Sequence, residues 1–349
     1  MRFKNVYIEA LACHLPDNIV TSDDIEKRLA PVYDRLKLPY GRLEMMTGIK
    51  ERRFWNPGTS PSQVSSIAGK LAIVNSGINQ EYIGCLINAS VCRDFLEPAT
   101  AALVHHNLGL PKNTLVYDIS NACLGVLNGM INIANMIELG QIQAGLVVAG
   151  ENGGPLVDST IESLLNNPSL TRSEIKASFA SLTIASAAVG VVLVHKDLTQ
   201  NKHRLLGGYS QAASQFNNLC RGNDDSKAQI DNWLPLMKTD AETMMREGCG
   251  LAGQTWDHTK NILEWVNDDV NHVFCHQVGH GHRKLLYETL SLELEKDFST
   301  LEYLGNTGAA SLPSTLALGA EKGLLESGDR IALLGIGSGL NSLMLGVEW

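Results

Sequence analysis

A layered α/β fold is predicted for this 349-residue chain by three features of its sequence. Short apolar runs recur along it, amphipathic helical patterns separate them, and the order and spacing of both are similar in the two halves. The runs are IGCLINAS (83–90), LVYDIS (115–120), GLVVAG (145–150), VGVVLVH (189–195), HVFCHQ (272–277) and RIALLGIG (330–337). They are short, β-rich and nearly unbroken, as expected for strands covered on both faces of a parallel or mixed sheet. Between them, GVLNGMINIANMIELG (125–140) sets Val126, Met130, Ile133, Ala134 and Ile137 on one helical face. The stretch 243–269 is a second long helical pattern, with Gly248, Gly250 and Gly253 weakening its middle. Strands alternating with helices predict stacked α and β layers.

The spacing suggests a duplication. In the first half a strand ends near Ala89, Cys123 follows 34 residues later, and another strand ends 27 residues on at Gly150. In the second half a strand ends near His276, Asn306 follows after 30 residues, and a strand ends 29 residues on at Gly335. Two pseudo-repeats, 1–195 and 205–349, are expected, with LTQNKHR (198–204) as the boundary and the polar segment 157–180 as an insertion in the first.

Composition narrows the function classes. A 44% hydrophobic content is ordinary for a globular chain, and a chain this long buries a large core without covalent staples. The net charge of −9 argues against non-specific nucleic-acid binding, which needs a basic footprint. The seven cysteines are odd in number and form no CxxC pair, so neither a disulfide framework nor a thiolate zinc site is expected. The first residues lack the pattern of a secretory leader, and the longest apolar runs, such as AAVGVVLV (187–194), are too short to span a bilayer. A soluble cytoplasmic protein with reduced thiols is expected.

Four positions carry candidate chemistry. Cys123, in VYDISNACLGVLNGM, stands where an apolar run turns directly into an amphipathic helix. Helix N-termini present unpaired N–H groups and a dipole that favour a thiolate, which is the logic of a nucleophile elbow; a buried packing cysteine is the competing reading. His276 follows a strand in HVFCHQVGHGHR, where an imidazole can relay a proton or hold a carbonyl oxygen. His276, His280 and His282 also raise the alternative of a metal site, against which Gly279 and Gly281 disfavour a regular helix and no carboxylate is well placed. Asn306, in EYLGNTGAASLPSTLALG, is either an amide donor to a developing oxyanion or a turn and cap residue. GIGSGLN (335–341) follows a strand but lacks GxGxxG spacing, leaving a tight turn whose main-chain N–H groups approach an acyl carbonyl.

Taken together, NACLGVLNGM, CHQVGHGH, LGNTGAASLP and GIGSGLN resemble the active-site segments of the β-ketoacyl synthase III group of the thiolase superfamily, and MMTGIKERRFW (45–55) resembles its N-terminal TGI-ERR segment. The resemblance implies a thiolase-like five-layered αβαβα fold built from two pseudo-repeats, a homodimer, and no cofactor beyond coenzyme A thioesters as substrates. It implies that Cys123 takes an acyl group, that the main-chain N–H groups of Cys123 and Gly339 form an oxyanion hole, and that His276 and Asn306 hold the carbonyl of a second thioester. The group's usual HQAN reads His276-Gln277-Val278-Gly279 here, so its side-chain amide is missing.

Within the group, CRDFLEPATAALVHHNLG (92–109), NLCRGN (218–223) and LLGIGSGLN (333–341) resemble the OleA-type enzymes that condense two fatty acyl-CoA molecules head to head. That resemblance makes Glu97 the base that removes an α-proton, reaching across a dimer. Read locally, Glu97 before Pro98 and a helical run is also good capping chemistry. The alternatives are a 3-oxoacyl-carrier-protein synthase III using malonyl-carrier protein, an acyltransferase or thioesterase that forms no carbon–carbon bond, and a non-catalytic acyl-binding scaffold. Fatty acyl-CoA is the expected small-molecule partner, and an acyl carrier protein is a second partner that the group allows.

Overall fold

The chain begins with β1 (Val6–His14) and a small pair, β2 (Asn18–Thr21) and β3 (Glu51–Phe54), that brackets the short helices α1 (Ser22–Arg28), α2 (Ala30–Leu36) and α3 (Arg42–Thr47). Then come α4 (Pro61–Ser76), β4 (Ile83–Asn88), α5 (Thr100–Leu108), β5 (Leu115–Asp118), α6 (Gly125–Glu138), β6 (Ala144–Glu151), α7 (Gly154–Leu165), α8 (Arg172–Leu182) and β7 (Ala187–His195). The remainder is β8 (Arg204–Ala212), the short pair β9 (Cys220–Gly222) and β10 (Met237–Thr239), α9 (Ala241–Leu263), β11 (His272–Cys275), α10 (His280–Leu290), α11 (Leu301–Leu304), α12 (Ser311–Glu321), β12 (Arg330–Gly337) and β13 (Asn341–Glu348). The computed structural model describes residues 1–222 and 236–349; Asn223, the last residue of the NLCRGN segment, lies outside them.

Among the described residues, nine strands share one sheet in the order β11-β12-β13-β8-β1-β7-β6-β4-β5. From β1 outward the pairings run antiparallel to β7, antiparallel to β6, then parallel to β4 and β5. From β8 outward they run antiparallel to β13, antiparallel to β12, then parallel to β11. Between β1 and β8 the paired register consists of Tyr7 and Arg204 alone, so the ladder is nearly severed at its centre.

Side-chain parity explains the layers, because successive strand residues point to opposite faces. On β6, Val147 and Ala149 face a central core, while Leu146 and Val148 face a second one. On β12, Ile331 and Leu333 face that same central core, while Ala332 and Leu334 face a third. The central core is filled by α6 (Val126, Met130, Ile133, Ile137) and α12 (Leu312, Leu316). The second is closed by Ala72 of α4 and Val104 of α5, and the third by Ala252 and Trp256 of α9 with Leu286 and Leu290 of α10. The order is therefore helices, sheet, helices, sheet, helices, which is the five-layered αβαβα arrangement. Strands covered on both sides need apolar residues at every position, hence the unbroken runs.

The elements that differ from the sequence reading do so for local reasons. β1, β8 and β13 carry polar residues such as Glu9, Gln211 and Ser342 and show no unbroken run. The glycines at 248, 250 and 253 do not interrupt α9, and Gly248 packs over Ile336 of β12. The segment 157–180 is not merely polar: Val157, Ile161, Leu164, Ile175 and Phe179 join Ile25, Leu29, Val32, Tyr33 and Leu43 in an apolar cluster with α1, α2 and α3. Among the described residues, no helix is long and apolar enough to cross a membrane.

Candidate active site

Cys123 lies in a single 3₁₀ turn, Ala122–Leu124, between β5 and α6. Ala122 has φ +45°, a left-handed conformation unusual for a residue with a side chain, and of the kind that aims a nucleophile out of a strand-to-helix turn. Gly125 begins α6 because nothing larger fits: a Cβ there would come within 2.1 Å of the Ala89 carbonyl oxygen at the end of β4. The turn is also held by side chains. Asn121 donates to Asn128 Oδ1 at 2.7 Å, and Asn341 donates to Asn121 Oδ1 at 3.2 Å and to the Ser338 carbonyl at 3.3 Å. GIGSGLN is thus the tight connection from β12 to β13, tied to the cysteine turn by carboxamides. Gly339 has φ +132°, and Asn341 fills the space a side chain there would need.

His276 continues β11 by one residue, its N–H donating to the Leu334 carbonyl of β12 at 3.0 Å. The next residue of β12, Gly335, packs on Leu124, and Gly337 lies against the main-chain nitrogen of Cys123. The imidazole is 4% exposed, and its Nδ1 is buried without a partner among the described residues. Gln277 anchors the segment, accepting from Thr300 N–H at 3.0 Å.

Asn306 is pinned through its main chain, donating to the Thr183 carbonyl at 3.0 Å and accepting from Ala185 N–H at 2.8 Å. Its Oδ1 accepts from Gly308 N–H at 3.0 Å, which leaves the Nδ2 hydrogens as donors. The following turn, Gly308–Ala310, packs against the Cys123 turn. The segments of Cys123, His276 and Asn306, distant along the chain, therefore meet around the end of β12.

Two of the alternative readings and one expectation do not hold. Glu97 is not the cap of α5: the N-cap is Ala99, and the carboxylate that accepts from Thr100 N–H (2.9 Å) and Ala101 N–H (2.8 Å) is Asp118 of β5. Glu97 is exposed on the protomer, on a loop whose tip also exposes Phe95 and Leu96. The helical metal-ligand geometry is absent as well, since α10 starts at His280 and His276 precedes it; Gly279 and Gly281 sit at its N-terminus, where they do not break it. Among the described residues no group of three or more His, Cys, Asp or Glu is arranged to hold an ion. Finally, the thiol is not held as a thiolate. Burial, then the Glu151 carboxyl and the Cys220 thiol, push Cys123 up to about 12. Burial, assisted by His282, lowers His276 to about 3. At neutral pH the resting pair is therefore a protonated thiol and a neutral imidazole.

The residue that sequence reading missed is Glu151, which closes β6 and whose charge reaches Cys123. The available signal was an acid ending an otherwise entirely apolar run. All seven cysteines are free thiols, and two cavities of about 490 and 460 Å³ open elsewhere on the protein, neither lined by Cys123, His276 or Asn306.

Residues 45–179 match the thiolase N-terminal domain, and residues 262–349 match the C-terminal part of 3-oxoacyl-[acyl-carrier-protein] synthase III. With the five layers and a cysteine at a strand-to-helix turn, this defines a thiolase-superfamily acyltransferase of the β-ketoacyl synthase III-like, condensing type. Similarity extends end to end to two acyl-CoA:acyl-CoA alkyltransferases, from Shewanella oneidensis (43% identity) and Xanthomonas campestris (37%), each covering 100% of both chains. A β-ketoacyl-[acyl-carrier-protein] synthase III from Aliarcobacter butzleri is 29% identical over 95% of this chain and 94% of its own. The crystal structure of cerulenin-bound Xanthomonas campestris OleA superposes with a TM-score of 0.94 at 37% identity, covering 100% of this chain and 98% of that one. The chain belongs to the OleA-type acyl-CoA:acyl-CoA alkyltransferase family of the thiolase superfamily.

Proposed function

We propose that the chain joins two fatty acyl-CoA molecules by a Claisen condensation without decarboxylation, acting as a cytoplasmic homodimer. It is read as two related halves, 1–195 carrying the nucleophile and 205–349 carrying His276 and Asn306. In the first step Cys123 attacks an acyl-CoA carbonyl: the new sulfur–carbon bond forms, the bond to coenzyme A breaks, and the thiol proton leaves on the departing CoA. Neutral His276 is suited to relay that proton. The main-chain N–H groups of Cys123 and Gly339 face the developing oxyanion. In the second step Glu97 of the partner subunit takes the α-proton of another acyl-CoA, while His276 and the Asn306 amide hold its enolate oxygen. The carbanion attacks the acyl-cysteine carbonyl: the new carbon–carbon bond forms, the carbon–sulfur bond to Cys123 breaks, the proton taken by Glu97 returns to the departing thiolate, and a 2-alkyl-3-oxoacyl-CoA results, which water converts to its acid and free CoA. Thiol, imidazole and carboxylate supply every proton transfer and the Asn306 amide a hydrogen bond, so no cofactor beyond the thioester substrates is invoked.

The observation that carries this reading is Glu97 itself. A malonyl donor makes its carbanion by losing CO₂ and needs no base, whereas a second acyl-CoA does. The dimer is supported by the loop tip, where Leu96 is 72% exposed and Phe95 57% beside an exposed Glu97, an apolar projection suited to enter a partner. Free thiols throughout and acyl-CoA substrates support the cytoplasm. An acyl carrier protein is the alternative carrier of one acyl group. The test is incubation with one long-chain acyl-CoA and no malonyl donor, followed by mass spectrometry: a 3-oxo product with two chains supports the reading, and product only on adding malonyl thioester, with CO₂ release, replaces it with the synthase III reaction.

A further inference from the structure

A buried carboxylate that takes no proton in these steps stands at the end of β6. Glu151 is 3% exposed, yet among the described residues it meets no basic side chain: its Oε1 accepts the N–H groups of Val91 at 2.9 Å and Ala309 at 3.1 Å, and its Oε2 accepts that of Cys92 at 3.1 Å. Val91 and Cys92 open the loop that carries Glu97, and Ala309 lies in the turn that follows Asn306. The chain closes tightly over the carboxylate at Gly308, which has φ +58° and where a Cβ would lie 3.1 Å from the Glu151 carboxyl carbon. The Glu151 carbonyl accepts from the Trp55 indole at 2.9 Å, fixing the strand end from the other side.

Burying a carboxylate costs desolvation that an apolar residue closing the same strand would avoid. What the carboxylate adds is acceptance of three main-chain donors from two separate segments, which would otherwise be orphaned. Burial raises its pKa, and the Val91 N–H, the Cys92 thiol and N–H, and the Ala309 N–H oppose the rise by favouring the charged form. The titratable groups facing it are Cys92 and Cys123.

We infer that Glu151 is a positioning residue for the condensation step, clamping the Glu97 loop and the Asn306 turn in one register. The inference rests on the function proposed above, in which both clamped segments act on the second acyl-CoA. The Cys123 turn has its own supports in Asn121, Asn128, Asn341 and Gly125. Loss of Glu151 therefore separates the two half-reactions.

The test compares Glu151→Ala and Glu151→Gln with the wild type, in full-length protein whose fold is checked by circular dichroism. Acylation of Cys123 is read by intact mass in a single turnover, and condensation by steady-state product formation. In Glu151→Ala, acylation does not slow, because losing the carboxylate relieves part of the upward push on the Cys123 thiol, whereas kcat for condensation falls on the order of 100-fold with a smaller change in KM, as expected when reacting groups are misplaced. Glu151→Gln keeps Oε1 for Val91 and Ala309 but loses the acceptor for Cys92, and recovers condensation only to about two- to tenfold below wild type. Unchanged condensation in Glu151→Ala, acylation falling in step with condensation, or a Gln variant no better than Ala each overturns the inference. If the Ala variant does not fold, the Gln variant decides: intact acylation with slowed condensation supports the clamp, and any other pattern removes it. A wild type that acylates but never condenses defeats the functional reading instead.

Discussion

Asn341 donates its Nδ2 to the Oδ1 of Asn121 at 3.2 Å, across 220 residues of chain, and so ties the glycine turn at the end of β12 to the turn that carries Cys123. The bond sets where the Gly339 N–H stands relative to the Cys123 N–H, the two donors assigned to the oxyanion hole. Asn341→Ala is expected to leave the melting temperature within a few degrees, since one hydrogen bond contributes about 1 kcal/mol. It should slow acylation of Cys123 by about 10- to 100-fold, because misplacing an oxyanion donor approaches the cost of removing it. Stopped-flow release of CoA measures the second quantity; an unchanged rate would separate the two turns functionally.

The thiol of Cys123, pushed up to about 12 by burial and by Glu151 and Cys220, is protonated throughout the physiological range. Its alkylation by iodoacetamide should therefore rise about tenfold per pH unit from neutrality to alkaline pH, in proportion to the thiolate fraction. A plateau near pH 8, read by mass mapping of the alkylated peptide, would show instead that the α6 N-terminus dominates.

His276, lowered to about 3, makes stability depend on pH in a stated direction. The unfolded chain binds this proton below about pH 6.5 and the folded protein refuses it. Stability is thus fully present above that value and is lost as pH falls toward the folded value, at about 1.4 kcal/mol per pH unit. His282, lowered to about 4, adds in the same sense. Urea titrations between these pH values should show the decline, and His276→Asn should flatten it; an identical slope in the variant contradicts the assignment.

Glu97 is expected to matter only for the second half-reaction. Glu97→Ala should retain acylation of Cys123 and lose condensation by roughly 10²- to 10⁴-fold, the range for removal of a general base. Mixing Glu97→Ala with Cys123→Ala protomers should restore part of the activity, since one hybrid site carries both groups. No restoration on mixing would place Glu97 in its own protomer's site.

What was legible in the sequence was local. Cys123 and Asn306 each lie where an apolar run meets a small-residue turn, and such turns keep their meaning wherever the rest of the chain goes. The strands covered on both faces were equally plain, because burial on two sides leaves no room for alternation. The local alternative for Glu97, a helix cap, fails because the true cap, Asp118, comes from β5, which only the parallel pairing with β4 brings beside the start of α5. Glu151 stayed hidden for the same reason: its donor at Ala309 is 158 residues away, and without that turn an acid ending a strand looks solvent-facing. The raised thiol of Cys123 likewise depends on neighbours that no spacing rule brings together.

A two-chain pulse-chase tests the non-decarboxylating condensation most directly. Protein acylated with one fatty acyl-CoA, freed of excess substrate and then given a second acyl-CoA of different length should lose the Cys123 adduct and yield one 3-oxo product containing both chains. The pulsed chain should supply the 3-oxo carbon and the chased chain the α-carbon. An adduct that leaves only as free fatty acid or returns to CoA, or that yields product only when malonyl thioester is the chase, contradicts the account.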